Sequence, residues 1–257
     1  MRVAIIGAGA SGLTCIKCCK EDGLEPVCFE QEDSIGGLWH FTEEERHSSV
    51  YRSTVINTSK EMMCFSDFPI PKEYPPYMHH EKIMQYFHLY AEAFDLYKFI
   101  RFRTKVVDLR KAPNFDETGK WEILFQELSS GNPEAVKTEV YDAVMLCVGH
   151  HAEPSWPNPS FPGQDEFEGI KIHSHSYKDF KPFENKKVLV VGTSYVSNFL
   201  KDSCSARVYS RNWRMRVRLV NLLWVPFGIT WSIPLSQRHP RKFYTMSAAP
   251  APNPCPL

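Results

Sequence analysis

The chain opens on an apolar β-branched run, Val3 to Ile6, that breaks into a glycine-rich turn. A helical stretch, "LTCIKCCKEDG", follows and is stopped by Gly23; "EPVCFE" then reads as a second strand. Residues 31–80 are loop-rich, with turn signals at Gly36-Gly37, Pro69, Pro71 and Pro75-Pro76. In "EKIMQYFHLYAEAFDL", Ile83, Tyr86, Phe87, Tyr90 and Phe94 recur at helical spacing and predict an amphipathic helix. Three strand-like segments come next: "KFIRFRTKVVDLRKA", "KWEILFQEL" and "VKTEVYDAVMLCVG". Polar turns separate them, which predicts an antiparallel insertion leading back to a buried strand. The proline-rich "HHAEPSWPNPSFPG" is the clearest boundary. Beyond it, "KKVLVVGTSYVSNFL" begins a second strand-turn-helix pattern, and "ARVYSR" is the next strand-like run. Regular patterning decays after about Arg211, and the final "MSAAPAPNPCPL" reads as a disordered tail.

Composition narrows the class without naming a chemistry. At 257 residues, 43% hydrophobic and 23% charged, the chain has ordinary globular composition with room for one large or two smaller domains. Thirty basic residues balance thirty acidic ones, so no nucleic acid or other polyanion is implied as a partner. Eight cysteines lack the regular spacing of a disulfide framework, which favours a reducing compartment. The sequence enters a strand at once, leaving no room for a cleavable signal, so the expected location is the cytosol or the cytosolic face of a membrane. The apolar stretch at residues 219–235 is short of the ~20 residues a span needs and is interrupted by Pro226, Gly228 and Pro234. It reads as a buried or orphaned segment, with in-plane membrane contact as the second reading.

The first turn carries the chemistry. Gly7-Ala8-Gly9-Ala10-Ser11-Gly12 is a G-x-G-x-x-G turn placed directly after a strand and opening a helix. Gly7 permits the tight turn, Gly9 lets the backbone approach a pyrophosphate, and Gly12 lets helix pack on strand. Phosphates then meet unpaired N–H groups at the helix N-terminus. Glu30 ends the next strand 18 residues after Gly12, where an acid binds the ribose hydroxyls of an adenosine half. An acid there repels a 2′-phosphate, so the site prefers FAD or NAD to NADP. Cys15, Cys18 and Cys19 lie on the following helix, where packing against the sheet is a simpler reading than redox chemistry.

After Glu30 a diglycine, Gly36-Gly37, is followed by Leu38 and Trp39. With these residues the sequence resembles the flavin-containing monooxygenases, which oxygenate soft nitrogen and sulfur nucleophiles. The resemblance continues through "INTSKEMMCFSDFPIP", where Asn57 and Thr58 map onto a stretch that in the family lies near flavin and nicotinamide. An amide at Asn57 suits an oxygen-activating pocket because it both donates and accepts hydrogen bonds. Phe167, Gly169, His173 and Tyr177 fit the family fingerprint F-x-G-x-x-x-H-x-x-x-Y/F. His173 and His175 make a poor metal site, lacking a neighbouring Cys or carboxylate cluster, and no metal is expected. Gly149 and His150-His151 fit the strand-end region that in the family helps enclose FAD.

The resemblance covers roughly residues 2–200 and implies the N-terminal half of a family member. The expected fold is α/β: a Rossmann-like FAD-binding domain with an antiparallel insertion over residues 1–152, a linker with the fingerprint over 153–185, a partial NADPH-binding domain over 186–235 and a tail over 236–257. The implied reaction is hydride transfer from NADPH to FAD, oxygen uptake to a C4a-hydroperoxyflavin, and oxygen transfer to a small nucleophilic substrate. The resemblance implies a place in the cytoplasm or at the cytosolic face of the endoplasmic reticulum membrane. At the second turn Gly192 stands alone, with Ser194 and Ser197 where the family has glycine, and Arg211 is placed to pair a 2′-phosphate. The alternative expectation is therefore a truncated, catalytically silent dinucleotide-binding family member.

Overall fold

The computed structural model describes residues 1–44 and 47–191 in full, and the backbone of residues 205–209. Strands β1 (Arg2–Ile6), β2 (Glu25–Phe29), β3 (Ile100–Arg101) and β7 (Ala143–Leu146) form a parallel sheet in the order β3-β2-β1-β7. Between β3 and β7 the chain builds an antiparallel sheet of β4 (Thr104–Lys111), β5 (Trp121–Glu127) and β6 (Val136–Tyr141). Helix α1 (Ala10–Glu21) joins β1 to β2, and α3 (His80–Ala93) precedes β3. Two single-turn helices, α2 (Lys60–Met63) and α4 (Phe115–Thr118), punctuate the loops. Strands β8 (Lys187–Val191) and β9 (Ser205–Tyr209) pair in parallel, the register of a strand-crossover-strand unit.

Successive residues of β1 serve opposite faces of the parallel sheet. Val3 and Ile5 enter a large apolar cluster with Leu13 and Ile16 of α1 and Ile83 and Tyr86 of α3. Ala4, between them, joins a smaller cluster with Phe29, Ile123, Phe125 and Tyr141, shared with the antiparallel sheet. Phe29 lies 5.1 Å from the Phe125 ring and 5.9 Å, edge on, from Tyr141. The two sheets are therefore held by one aromatic contact set around β2.

A polar tie reinforces that junction. Glu139 accepts from Arg101 at 2.6 Å, from Arg2 at 3.1 Å and from the Tyr141 hydroxyl at 2.6 Å. Burial acts to raise the Glu139 pKa, but these donors outweigh it and hold the carboxyl below its ordinary value. The tie thus links β1, β3 and the insertion.

The hydrophobic spacing predicted α3 well: Ile83, Tyr86, Phe87 and Tyr90 are all buried. The helix stops at Phe94, and Asp95 follows at φ 51°. Two of the expected strand segments prove to be pairs. "KFIRFRTKVVDLRKA" divides at Arg103, whose φ of 52° turns the chain from β3 into β4. "VKTEVYDAVMLCVG" divides at Asp142, whose carboxylate accepts from Arg2 N–H at 2.7 Å as β6 gives way to β7. Among the described residues no helix is long and apolar enough to cross a membrane; the 219–235 stretch lies outside them.

Tyr86 holds the loop before α3 to the core. Its hydroxyl donates to the Phe68 carbonyl at 2.6 Å and accepts from Phe65 N–H at 2.8 Å. Tyr86→Phe keeps the ring but strands both backbone groups, and is expected to cost about 1–3 kcal/mol in urea denaturation. A variant as stable as the parent would show that water replaces the hydroxyl.

Candidate functional site

The glycine-rich turn is built so tightly that side chains have no room at two of its positions. A Cβ at Gly12 would lie 1.9 Å from the Gly7 carbonyl oxygen. One at Gly7, whose φ is +99°, would lie 2.6 Å from the Cys147 carbonyl oxygen. The end of β7 therefore closes over the turn, pinned by Cys147 N–H to the Ile6 carbonyl at 2.9 Å. Gly9 differs: the nearest atom to a Cβ there is Gly37 Cα, at an ordinary 3.7 Å. The protein itself tolerates an alanine at Gly9, so its lack of a side chain leaves a cradle open.

Among the described residues, no side chain caps the donors at that cradle. Gly9 caps α1 without a side-chain cap, and the first helical turn has no acidic residue. The first intrahelical bond runs from Leu13 N–H to the Gly9 carbonyl at 3.0 Å, so the earlier N–H groups remain available to an anion. Ser11 is exposed at the same turn. These features fit a dinucleotide pyrophosphate.

Glu30 is placed as the sequence predicts and has a second job. One carboxylate oxygen accepts from Ala8 N–H at 2.7 Å and the other from Glu32 N–H at 2.9 Å. The acid expected to face a ribose thus also fixes the glycine-rich turn. The Ala8 carbonyl in turn accepts from Gly36 N–H at 3.0 Å. That bond brings the diglycine loop against Gly9: a Cβ on Gly37 would stand 3.3 Å from Gly9 Cα. Leu38 is exposed and Trp39 packs at the edge of the main core. Gly7, Gly9, Gly12, Glu30 and Gly37 are therefore one constellation.

Other expected residues stand apart from it. Asn57 and Thr58 are exposed beside Ile56, whose N–H donates to the Met78 carbonyl at 2.9 Å. Asn57 makes no hydrogen bond to another described residue, leaving its amide free. Gly149 is exposed at φ 74°, two residues past Cys147, with His150 and His151 following. Gly192, Ser194, Ser197 and Arg211 lie outside the described residues. On α1 the packing reading holds for buried Cys19 and half-buried Cys15 but not for Cys18, which is exposed at the edge of that face.

The fingerprint segment is structural in its contacts. Tyr177 is buried against Tyr51 and Phe183, with ring centroids at 5.4 and 5.9 Å. His173 Nδ1 accepts from His175 N–H at 3.1 Å, closing a local turn. The residue that sequence reasoning missed is Lys178. Its buried ammonium donates to the His47 carbonyl at 2.7 Å and to Ser49 Oγ at 2.8 Å, tying the fingerprint to the loop after the diglycine. Its only sequence signal is its place next to Tyr177. His79, His80 and Glu81 bring ligand atoms within 4.8 Å of one another. Both imidazole Nε2 atoms, however, bond the Arg52 carbonyl at 2.9 and 3.1 Å, and the positive end of α3 disfavours a cation there.

Burial raises the Glu30 pKa, against the lowering by its N–H donors. The folded protein thus holds this proton to higher pH than the unfolded chain. The associated stability is complete below the ordinary carboxyl range and is lost as pH rises through the folded value. The stability advantage of the parent over Glu30→Gln is accordingly expected to be larger at pH 4 than at pH 7 in urea denaturation. An advantage that grows with pH would contradict the burial effect.

Comparison with known proteins agrees with this geometry. The family model described as flavin-binding monooxygenase-like matches residues 1–206. Flavin-containing monooxygenase 5 of Mus musculus is 51% identical over 193 residues, covering 74% of this chain and 35% of that protein. Dimethylaniline monooxygenase [N-oxide-forming] 2 of Cavia porcellus is 45% identical over 218 residues, covering 82% and 40%. Among solved structures, S-allyl-L-cysteine S-oxygenase from Allium sativum superposes with a TM-score of 0.71 at 28% identity, over 82% of this chain and 51% of that one. The chain thus spans about a third of the length of the curated relatives it matches. An open phosphate cradle, an acid at the end of β2 and a family match over most of the chain lead to one conclusion: the protein belongs to the flavin-binding monooxygenase-like family.

Proposed function

We propose that this chain binds FAD at the Gly7–Gly12 turn and serves NADPH-dependent oxygenation of soft nitrogen or sulfur nucleophiles. The single observation that carries the reading is the open cradle at Gly9, walled by Gly37 and floored by uncapped N–H groups. The N–H groups at the start of α1 bind the pyrophosphate, and Glu30 accepts from the adenosine ribose. Gly37 and Leu38 let the following loop lie against the flavin side. Residues 1–152 are the FAD-binding portion, and the fingerprint over 153–185 is tied back to it through Lys178 and Tyr177.

Bound FAD supplies hydride acceptance from NADPH and oxygen activation; the protein supplies orientation and exclusion of water. The exposed Asn57 amide, unbonded among the described residues, is the group we assign to the reacting side, where it would donate or accept a hydrogen bond. Thr58 and Gly149 line the same cofactor. NADPH is assigned to the second turn, Gly192, Ser194 and Ser197, with Arg211 on its 2′-phosphate. A small nucleophile and molecular oxygen are the substrates, and the cytosolic face of the endoplasmic reticulum membrane is the location we assign.

A second reading, a dinucleotide-binding chain without turnover, is favoured by the serines at two glycine positions of the second turn. One experiment separates the two. The purified chain is titrated with FAD by flavin fluorescence, then given NADPH under nitrogen and followed by flavin absorbance. Saturable FAD binding and bleaching by NADPH are expected; binding without bleaching selects the silent reading, and no binding overturns both. Gly9→Ala is expected to melt like the parent but bind FAD at least ~10-fold more weakly, a loss of about 1.4 kcal/mol. Unchanged affinity would remove the pyrophosphate from the cradle.

A further inference from the structure

Two thiols meet behind the dinucleotide turn. Cys147, just past the end of β7, donates its thiol toward Cys15 Sγ of α1 across 3.7 Å. They come from positions 132 residues apart in sequence. The fold fixes their approach: a Cβ on Gly12 would lie 3.8 Å from Cys147 Cβ, so the Cys147 side chain leans on that face of α1. Cys15 follows Gly12 at the i, i+3 spacing that shares a helix face. Both residues are half-buried, whereas Cys19 and Cys28 are buried.

We propose that Cys15 and Cys147 are a modification site, a thiol pair that hydrogen peroxide converts to a disulfide stapling β7 to α1. The pair matches an attacking and a resolving cysteine. The contact from Cys147 lowers the Cys15 pKa to about 7 against the opposing effect of burial, while Cys147 itself is raised by donating that contact. Burial likewise raises Cys19 and Cys28. Of these four thiols Cys15 is the one that ionises first, and Cys147 stands next to it as the partner.

The steps balance. The Cys15 thiolate attacks one peroxide oxygen; an S–O bond forms, the O–O bond breaks, and the departing hydroxide takes a proton to become water. The Cys147 sulfur then attacks the Cys15 sulfenic acid; the S–S bond forms, the S–O bond breaks, and the hydroxyl leaves with the Cys147 proton as a second water. The two thiols lose two electrons and the peroxide gains them. Closing 3.7 Å to a disulfide of about 2.05 Å requires side-chain rotation and a small approach of strand end to helix. The staple would lie beside the Gly7–Cys147 contact, so it fastens the floor of the turn whether or not a dinucleotide is bound.

The test treats the purified full chain with a small molar excess of hydrogen peroxide, blocks remaining thiols, digests without reductant and maps peptides by mass. The expected result is a peptide joining Cys15 to Cys147 that disappears with dithiothreitol. In Cys147→Ser the expected product is instead a Cys15 sulfenic acid captured by dimedone. If both cysteines stay alkylatable, if Cys15 joins another cysteine, or if it passes to sulfinic acid with Cys147 still free, the proposal is overturned. Should Cys147→Ser fail to fold, the map of the parent chain decides alone.

Discussion

Everything at the proposed cofactor site depends on how closely α1 can approach the strand that precedes it. The distance from Gly12 to the Gly7 carbonyl leaves no space for even a methyl group, and the Gly7 backbone is pressed by the carbonyl of Cys147. That double contact lets β1, the helix start and the end of β7 converge on one point. The consequence reaches outward in order. The helix N-terminus is left uncapped, Glu30 can reach back to Ala8, and Ala8 can accept the diglycine loop. A side chain at Gly12 would push the helix from the strand and loosen each of these links.

The cost of the arrangement is a buried acid. Glu30 is 7% exposed and, among the described residues, has no cation as a hydrogen-bond partner. Two backbone N–H groups offset part of the desolvation, yet the balance still favours the protonated form more than in water. Glu139 shows the contrasting solution: two arginines and a tyrosine surround it, and its carboxyl is held in the charged state. One carboxylate joins sheets and is fully paired. The other shapes the proposed cofactor site and keeps accepting capacity in reserve, as the proposed ribose contact requires.

Much of this was legible in the sequence because its causes are local. The glycine spacing, the acid at the strand end and the period of α3 each act within a few residues, so pattern alone locates them. Strand limits were less legible. Arg103 and Asp142 divide apparently continuous runs, because the break depends on contacts with Glu32 and Arg2, distant in the chain. The same holds for Lys178, whose role arises from bonds to His47 and Ser49. The exposure of Cys18 and the meeting of Cys15 with Cys147 likewise follow from helix phase and strand order. Neither is written in a C-x-x-C spacing.

The central claim is that the free N–H groups at the start of α1 receive the cofactor's phosphates. Hydrogen exchange of backbone amides, followed by mass spectrometry with and without FAD, addresses those groups themselves. The account predicts that FAD slows exchange in peptides spanning Gly7 to Leu13 and Gly36 to Trp39, while the antiparallel insertion is unchanged. Exchange at the turn that is indifferent to saturating FAD would contradict it.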